Sequence, residues 1–266
     1  MPEGDTVRRS ASKLDQALTG RVLERAELRW PSAVGVDLTG RTVLATVSYG
    51  KHLLTRFDDG RTLHTHLRME GSWAIARTGA PGARGRGPYI RAVLGNAVWT
   101  ALGDRLGMLD VVDTREEHTV IGHLGPDILD DAFPTEGLPE ALRRWAVRGS
   151  MPVAEVLLDQ TVVAGIGTIW TAEPLFLLRQ WPWTPADELE DPAGLLLAIR
   201  KLMVRSVLST KPPGQTVDGG RGETSYVHSR IGRPCRRCGT PIERGTVRKP
   251  PQERPVFYCP RCQAPR

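Results

Sequence analysis

Four cysteines carry the clearest chemical signal in this 266-residue chain. Cys235-x2-Cys238 is followed, after twenty residues, by Cys259-x2-Cys262. Two such pairs, each closing a tight turn, offer four thiolates at tetrahedral spacing to one structural Zn²⁺. Four sulfur ligands fill the coordination sphere, so the metal would shape a finger and leave no position for an activated water. A second signal sits at the other end of the chain. Removal of Met1 ahead of Pro2 exposes a secondary amine with the carboxylate of Glu3 beside it. An α-amino group has a pKa of about 7.7–8.0, so a useful fraction is neutral and nucleophilic near neutral pH. Attack of that amine on an aldehyde-like carbon gives an iminium, an electron sink for covalent catalysis. Taken alone, a proline after the initiator methionine carries no chemistry.

Two weaker signals lie between these ends. Lys51 follows Gly50 at the start of a strand, where it can project from a sheet edge into a cleft; by itself it reads as a solvated lysine. The stretch Leu157-Leu158-Asp159-Gln160 to Ala164-Gly165-Ile166-Gly167-Thr168 reads as helix, turn and glycine-opened helix. Backbone N–H groups at such an opening suit a phosphate, although the same pattern also serves plain helix packing.

These residues need elements to position them. Asp5 and Thr6 are N-cap types, and Val7, Ala11, Leu14 and Leu18 follow at helical spacing, which predicts a first helix. Residues 21–30, 41–48, 51–57 and 62–68 read as strands, with Asp58-Asp59-Gly60 as a hairpin turn. Residues 89–94 and 97–101 flank a second turn at Gly95-Asn96, and 78–88 is a glycine- and arginine-bearing loop. Helical periodicity then covers 136–148, 152–159, 168–180 and 192–209, and 210–228 reads as a loop. The expected class is α+β multidomain. It comprises a β-sandwich with an N-terminal helix over 1–115, a helical domain over 126–228 and a cysteine module over 229–266.

Composition narrows the function. Net charge is +6, but from Ser229 onward ten Lys or Arg face only Glu243 and Glu253, which leaves the first 228 residues slightly acidic. A polyanion-binding face therefore concentrates at the C-terminus. No apolar run approaches the roughly 18 residues of a membrane span. The N-terminus lacks a basic segment followed by an apolar stretch, so a cytoplasmic protein without a membrane partner is expected.

Together the signals resemble one family, the formamidopyrimidine-DNA glycosylases and endonuclease VIII enzymes of base-excision repair. The matching residues are Pro2-Glu3-Gly4, Gly50-Lys51, His66-Leu67-Arg68-Met69-Glu70-Gly71, Leu124-Gly125-Pro126-Asp127, the 157–167 stretch and the cysteine module. They run in family order from end to end. The resemblance implies a β-sandwich joined to a helix–two-turn–helix domain bearing a zinc finger. It also implies base excision followed by strand cleavage on double-stranded DNA holding oxidised bases or abasic sites, by a monomer. Pro2 would attack the sugar C1′, Glu3 would shuttle protons, Lys51 would contact phosphate or assist elimination, and Arg254 would grip phosphates flanking the lesion. Flipping a base out costs a few kcal/mol, and Met69 resembles the family's wedge that fills the hole. Gly165 and Gly167 would lie along the phosphates.

Three positions depart from the pattern. Thr168 stands where the family usually has an asparagine that contacts phosphate, and Arg68 and His123 stand where endonuclease VIII proteins often carry Gln and Arg. The opening Met1-Pro2-Glu3-Gly4-Asp5-Thr6-Val7, together with Met69-Glu70-Gly71-Ser72-Trp73, resembles actinobacterial endonuclease VIII-like proteins, which points to oxidised pyrimidines. Gly103-Asp104-Arg105-Leu106-Gly107 departs from the purine branch. The competing reading is a non-catalytic nucleic-acid binder that keeps the fold. His64 and His66 share one strand face with no carboxylate at ligand spacing, which makes them packing or DNA-facing groups.

Overall fold

A computed structural model describes residues 2–217 and 224–265. They form two compact units, one of Pro2 with Thr6–His123 and one of Glu3–Asp5 with Leu124 onward.

The first unit holds helix α1 (Gly4–Leu18, from Thr6 on) and two four-stranded antiparallel sheets. Strands β1 (Arg25–Leu28), β6 (Ile90–Gly95), β7 (Trp99–Asp104) and β5 (Ser72–Arg77) make one sheet in that order. The other runs β2 (Val43–Tyr49), β3 (His52–Phe57), β4 (Arg61–His66) and β8 (Met108–Asp113). Val7, Ala11, Leu14 and Leu18 return to one face of α1 every three or four residues, and that face buries against Leu53, Phe57, Leu63 and Leu109. The Asp58-Asp59-Gly60 turn forms as expected, with Gly60 at φ 79°, a left-handed conformation that costs glycine little. At the second turn the Asn96 side chain accepts from the N–H groups of Val98 and Trp99, which closes the hairpin locally. A short α2 (His118–Ile121) ends the unit.

In the second unit, α3 (Leu138–Ala146), α4 (Val153–Leu158), α5 (Thr168–Leu177) and α6 (Pro192–Leu208) surround a core that includes Val156, Leu157, Trp170, Leu196 and Met203. Asp191 caps α6 through the Gly194 N–H, and Pro192 occupies its first turn. The cysteine module adds a hairpin, β9 (Glu243–Val247) with β10 (Arg254–Tyr258), whose Ile242 and Phe257 pack on Phe176 of α5. The expected fold class holds: β-sandwich with N-terminal helix, paired helices around a turn, and a four-cysteine module. The helices expected over 152–159, 168–180 and 192–209 form with slightly tighter ends. Strands β5 and β8 were not expected. Part of the loop expected over 210–228 falls on residues 218–223, which lie outside the described residues.

Candidate functional site

Glu3 is 1% exposed, a depth at which an ionised carboxyl needs partners. It finds them at the opening of α5. Oε1 accepts the Ile169 N–H at 2.8 Å and Oε2 the Trp170 N–H at 3.2 Å. These are otherwise orphaned donors at the positive end of the helix, so the pairing suits a carboxylate twice over. Gly167, the residue before α5, offers no side chain of its own, and its lack of a Cβ is what admits the acid. A Cβ there would lie 2.3 Å from Glu3 Cδ. The Gly4 N–H donates to Gly165 O at 2.9 Å, and a Cβ on Gly4 would meet Gly165 Cα at 3.0 Å. Gly165 in turn donates to Gln160 Oε1 at 3.0 Å, and Gln160 also holds Ile166 O at 2.8 Å. The phosphate cradle expected at Gly165 and Gly167 is therefore a carboxylate cradle: the helix-opening N–H groups of Ile169 and Trp170 are taken by Glu3. Thr168 sits at the first position of α5, half-buried, with Oγ1 3.5 Å from His228 Nε2.

Asp5 does not act as the expected N-cap. It lies within α1, and its Oδ2 accepts from Ser206 Oγ at 2.6 Å and from the Gly214 N–H at 2.8 Å. Another buried acid escaped the sequence reading altogether. Glu173 on α5 accepts the N–H groups of Tyr226, Val227 and His228, each at 2.8 Å, and the Thr216 hydroxyl, holding the chain on both sides of residues 218–223.

In the first unit Lys51 lies in the two-residue turn between β2 and β3, behind Gly50 at φ 57°. Its strand neighbours form an imidazole cluster. His52 stacks on His64 with centroids 5.0 Å apart and a 2.8 Å contact from Nδ1 to Nε2. His66 and His123 stand edge-on to His52 at 4.8 and 6.4 Å. Burial first, then the neighbouring His66, His64, His123 and Lys51, pushes His52 down to about 3. Burial, followed by Arg68 and Lys51, pushes His66 down to about 4. Both rings are neutral at pH 7. Reading His64 and His66 as a pair on one strand face missed His52 and His123.

Beyond β4 the chain turns at Arg68, at φ 51°, and leaves Met69 66% exposed. Met69 is thus a displayed apolar side chain, while Trp73 packs against the sandwich core. Arg254 begins β10 opposite Val247, beside the loop that closes the hairpin, and is exposed.

The four cysteine sulfurs lie within 4.8 Å of one another. Cys235 and Cys262 Sγ are 3.9 Å apart, and Cys238 and Cys259 Sγ 3.5 Å. Sulfurs about 2.3 Å from a central tetrahedral ion stand roughly 3.8 Å apart, so the set fits one metal ion. The N–H groups of Arg237 and Cys262 point at Cys235 and Cys259 Sγ, 3.4 Å away in each case, as suits anionic sulfur.

The sequence matches the model of the formamidopyrimidine-DNA glycosylase N-terminal domain over residues 1–120. A probable endonuclease 8 2 of Streptomyces coelicolor is 43% identical, with 99% of this chain and 94% of that protein covered. The chain belongs to the formamidopyrimidine-DNA glycosylase and endonuclease VIII family. Other members extend the likeness. The DNA-(apurinic or apyrimidinic site) lyase Nei2 of Mycolicibacterium smegmatis is 37% identical over 99% of both chains. The crystal structure of Lactococcus lactis Fpg (MutM) with DNA containing an oxidised pyrimidine superposes with a TM-score of 0.79 at 25% identity, covering 99% of this chain and 100% of that one. No helix among the described residues is long and apolar enough to cross a membrane.

Proposed function

We propose that the protein is a bifunctional DNA glycosylase and abasic-site lyase that removes oxidised bases, pyrimidines in particular, from double-stranded DNA, and that it acts as a monomer in the cytoplasm. With Met1 removed, the Pro2 nitrogen attacks the sugar C1′ of a flipped nucleotide, and the bond to the base breaks as the base takes up a proton. The opened sugar is held as an iminium, which draws electrons from C2′ and acidifies its proton. Loss of that proton expels the 3′ phosphate; a second elimination expels the 5′ phosphate, and water then releases the enzyme. Glu3 moves protons between the sugar ring oxygen and the departing base.

The observation that supports this reading best is the Glu3 cradle. Two backbone hydrogen bonds fix the carboxylate next to Pro2, and a carboxylate has about four acceptor sites in all, so being held does not exhaust it. Lys51 and Arg254 are assigned to phosphates around the lesion, and Arg68, His123 and Thr168 to further contacts with the DNA. Met69 fills the vacated stack, for which an exposed unbranched apolar side chain is suited. In this division residues 1–115 carry the chemistry, 126–228 grip the duplex and 229–266 hold a Zn²⁺ between Cys235, Cys238, Cys259 and Cys262. That ion orders the β9–β10 hairpin so that Arg254 can reach a phosphate. Chelation of the metal is expected to weaken DNA binding, as read by an electrophoretic shift, without altering the nucleophile.

The test uses protein with a native, untagged N-terminus and duplexes containing 5-hydroxyuracil, 8-oxoguanine or an abasic site. Cleavage of all three substrates, fastest on the pyrimidine and abolished by Pro2→Gly, is the expected result. Salt-sensitive binding without cleavage of any substrate would favour a non-catalytic binder.

A further inference from the structure

Three of the four clustered histidines, His52, His64 and His66, are arranged so that their protons can be placed. His64 Nδ1 is buried with no hydrogen-bond partner among the described residues, and the Asp110 carboxylate stands 3.8 Å away, on the residue directly across the sheet. The second carboxylate that His64 feels, Glu117, is committed to Arg56 at 2.8 and 2.7 Å and to Thr62 at 2.8 Å. A neutral imidazole has one N–H and one lone pair. Facing a carboxylate, the N–H is attracted and the lone pair repelled, so the proton of His64 belongs on Nδ1 and Nε2 is an acceptor. The 2.8 Å contact to His52 is then donated by His52 Nδ1. This leaves His52 Nε2 as a bare lone pair. His66 resolves the other way: its Nδ1 accepts the Arg68 N–H at 2.8 Å, so its proton is on Nε2. Among these three rings His52 Nε2 is thus an acceptor and His66 Nε2–H a donor. A cation and an anion would sort between them.

We propose that Asp110, His64 and His52 form an orienting chain that keeps His52 Nε2 an acceptor for the Lys51 ammonium, making His52 the positioning residue for that lysine during strand cleavage. The inference rests on the reading of Lys51 given under the proposed function. Low imidazole basicity supports it, because burial keeps His52, His64 and His66 neutral and the tautomers therefore defined. The groups that face the chain are Lys51, His66 and His123 around His52, Asp110 and Glu117 around His64, and Arg68 beside His66. Holding an ammonium against a neutral acceptor fixes its direction without cancelling its charge, so it can still meet a phosphate.

Nitrogen-15 NMR of the intact protein reads the tautomers directly. The expected pattern is Nδ1–H on His52 and His64 and Nε2–H on His66; a proton on His52 Nε2 would overturn the proposal whatever the variants do. The functional arm measures single-turnover cleavage of preformed abasic DNA across pH. His52→Phe keeps a ring in the stack and removes both nitrogens, and it should slow cleavage about tenfold or more. His52→Gln, which returns an acceptor oxygen, should restore part of the rate. In the Lys51→Ala background His52→Phe should have no further effect, and an undiminished effect there would contradict the proposal. If wild-type protein forms no borohydride-trapped adduct, the reading of the whole site fails. If it traps and cleaves while His52→Phe does so at an unchanged rate and with an unchanged pH profile, this inference alone fails.

Discussion

The Glu3 cradle and the imidazole cluster are both buried polar sites, but they satisfy their atoms differently. Around Glu3 each carboxylate oxygen meets a backbone N–H of α5, and Gly167 is bare so that the acid can approach. Around His52 the contacts run ring to ring, and His64 Nδ1 faces Asp110 across a gap too long for a hydrogen bond. Backbone donors cannot change role, so the cradle has one arrangement and serves to hold a group in place. Imidazoles can exchange donor and acceptor roles, so the cluster can respond to charge. A buried polar atom without a partner calls for an explanation, and proton placement supplies one here.

Breaking the cradle should have the larger effect. Glu3→Gln retains the shape but turns one oxygen into a donor that faces the Ile169 or Trp170 N–H. Single-turnover excision of 5-hydroxyuracil is expected to fall by about 10²-fold or more, the scale of a lost proton-transfer group. An unchanged rate would show that the cradle only packs.

Gly167→Ala attacks the same cradle from the other side. The backbone at Gly167, with φ −128°, is open to alanine, so only the clash of the new Cβ with Glu3 is introduced. A loss of about 1–3 kcal/mol in urea unfolding, the usual range for overpacking, is expected. It should come with slower excision, because Glu3 must leave the helix end. Normal kinetics with lowered stability would separate packing from chemistry.

The cluster should respond to pH instead. The folded pKa of His52 is about 3 and that of His66 about 4, against an ordinary value of 6.5. Below 6.5 the unfolded chain binds protons that the folded rings refuse, so stability is fully present above that pH. It declines as pH falls from 6.5 through about 4 for His66 and about 3 for His52. Urea midpoints should drop between pH 7 and 5, and His52→Phe should flatten part of that slope. A midpoint that stays level over this range would mean the rings are charged in the folded state.

The sequence makes some of this legible and hides the rest for physical reasons. The cysteine spacing announces its own cluster, because each pair is local. The first helix and its buried face follow from Val7, Ala11, Leu14 and Leu18. Strands β5 and β8 went unread because both are sheet edges, where a half-exposed segment becomes a strand through the neighbour it pairs with. The role of Glu3 beside Pro2 is readable from adjacency, but its cap on α5 joins residues more than 160 positions apart, and no local pattern encodes that. The histidine cluster was closer to hand. A turn centred on Asp59 places residue 52 opposite residue 66 and residue 54 opposite residue 64, which is the observed register. Following that register from Asp58-Asp59-Gly60 would have brought His52 to its partners.

Peptide mapping of the borohydride-reduced adduct with abasic DNA identifies whether Pro2 is the nucleophile. The sugar remnant is expected on the N-terminal peptide, attached to the Pro2 nitrogen. Attachment to Lys51, or no adduct from protein with a free Pro2, would contradict it.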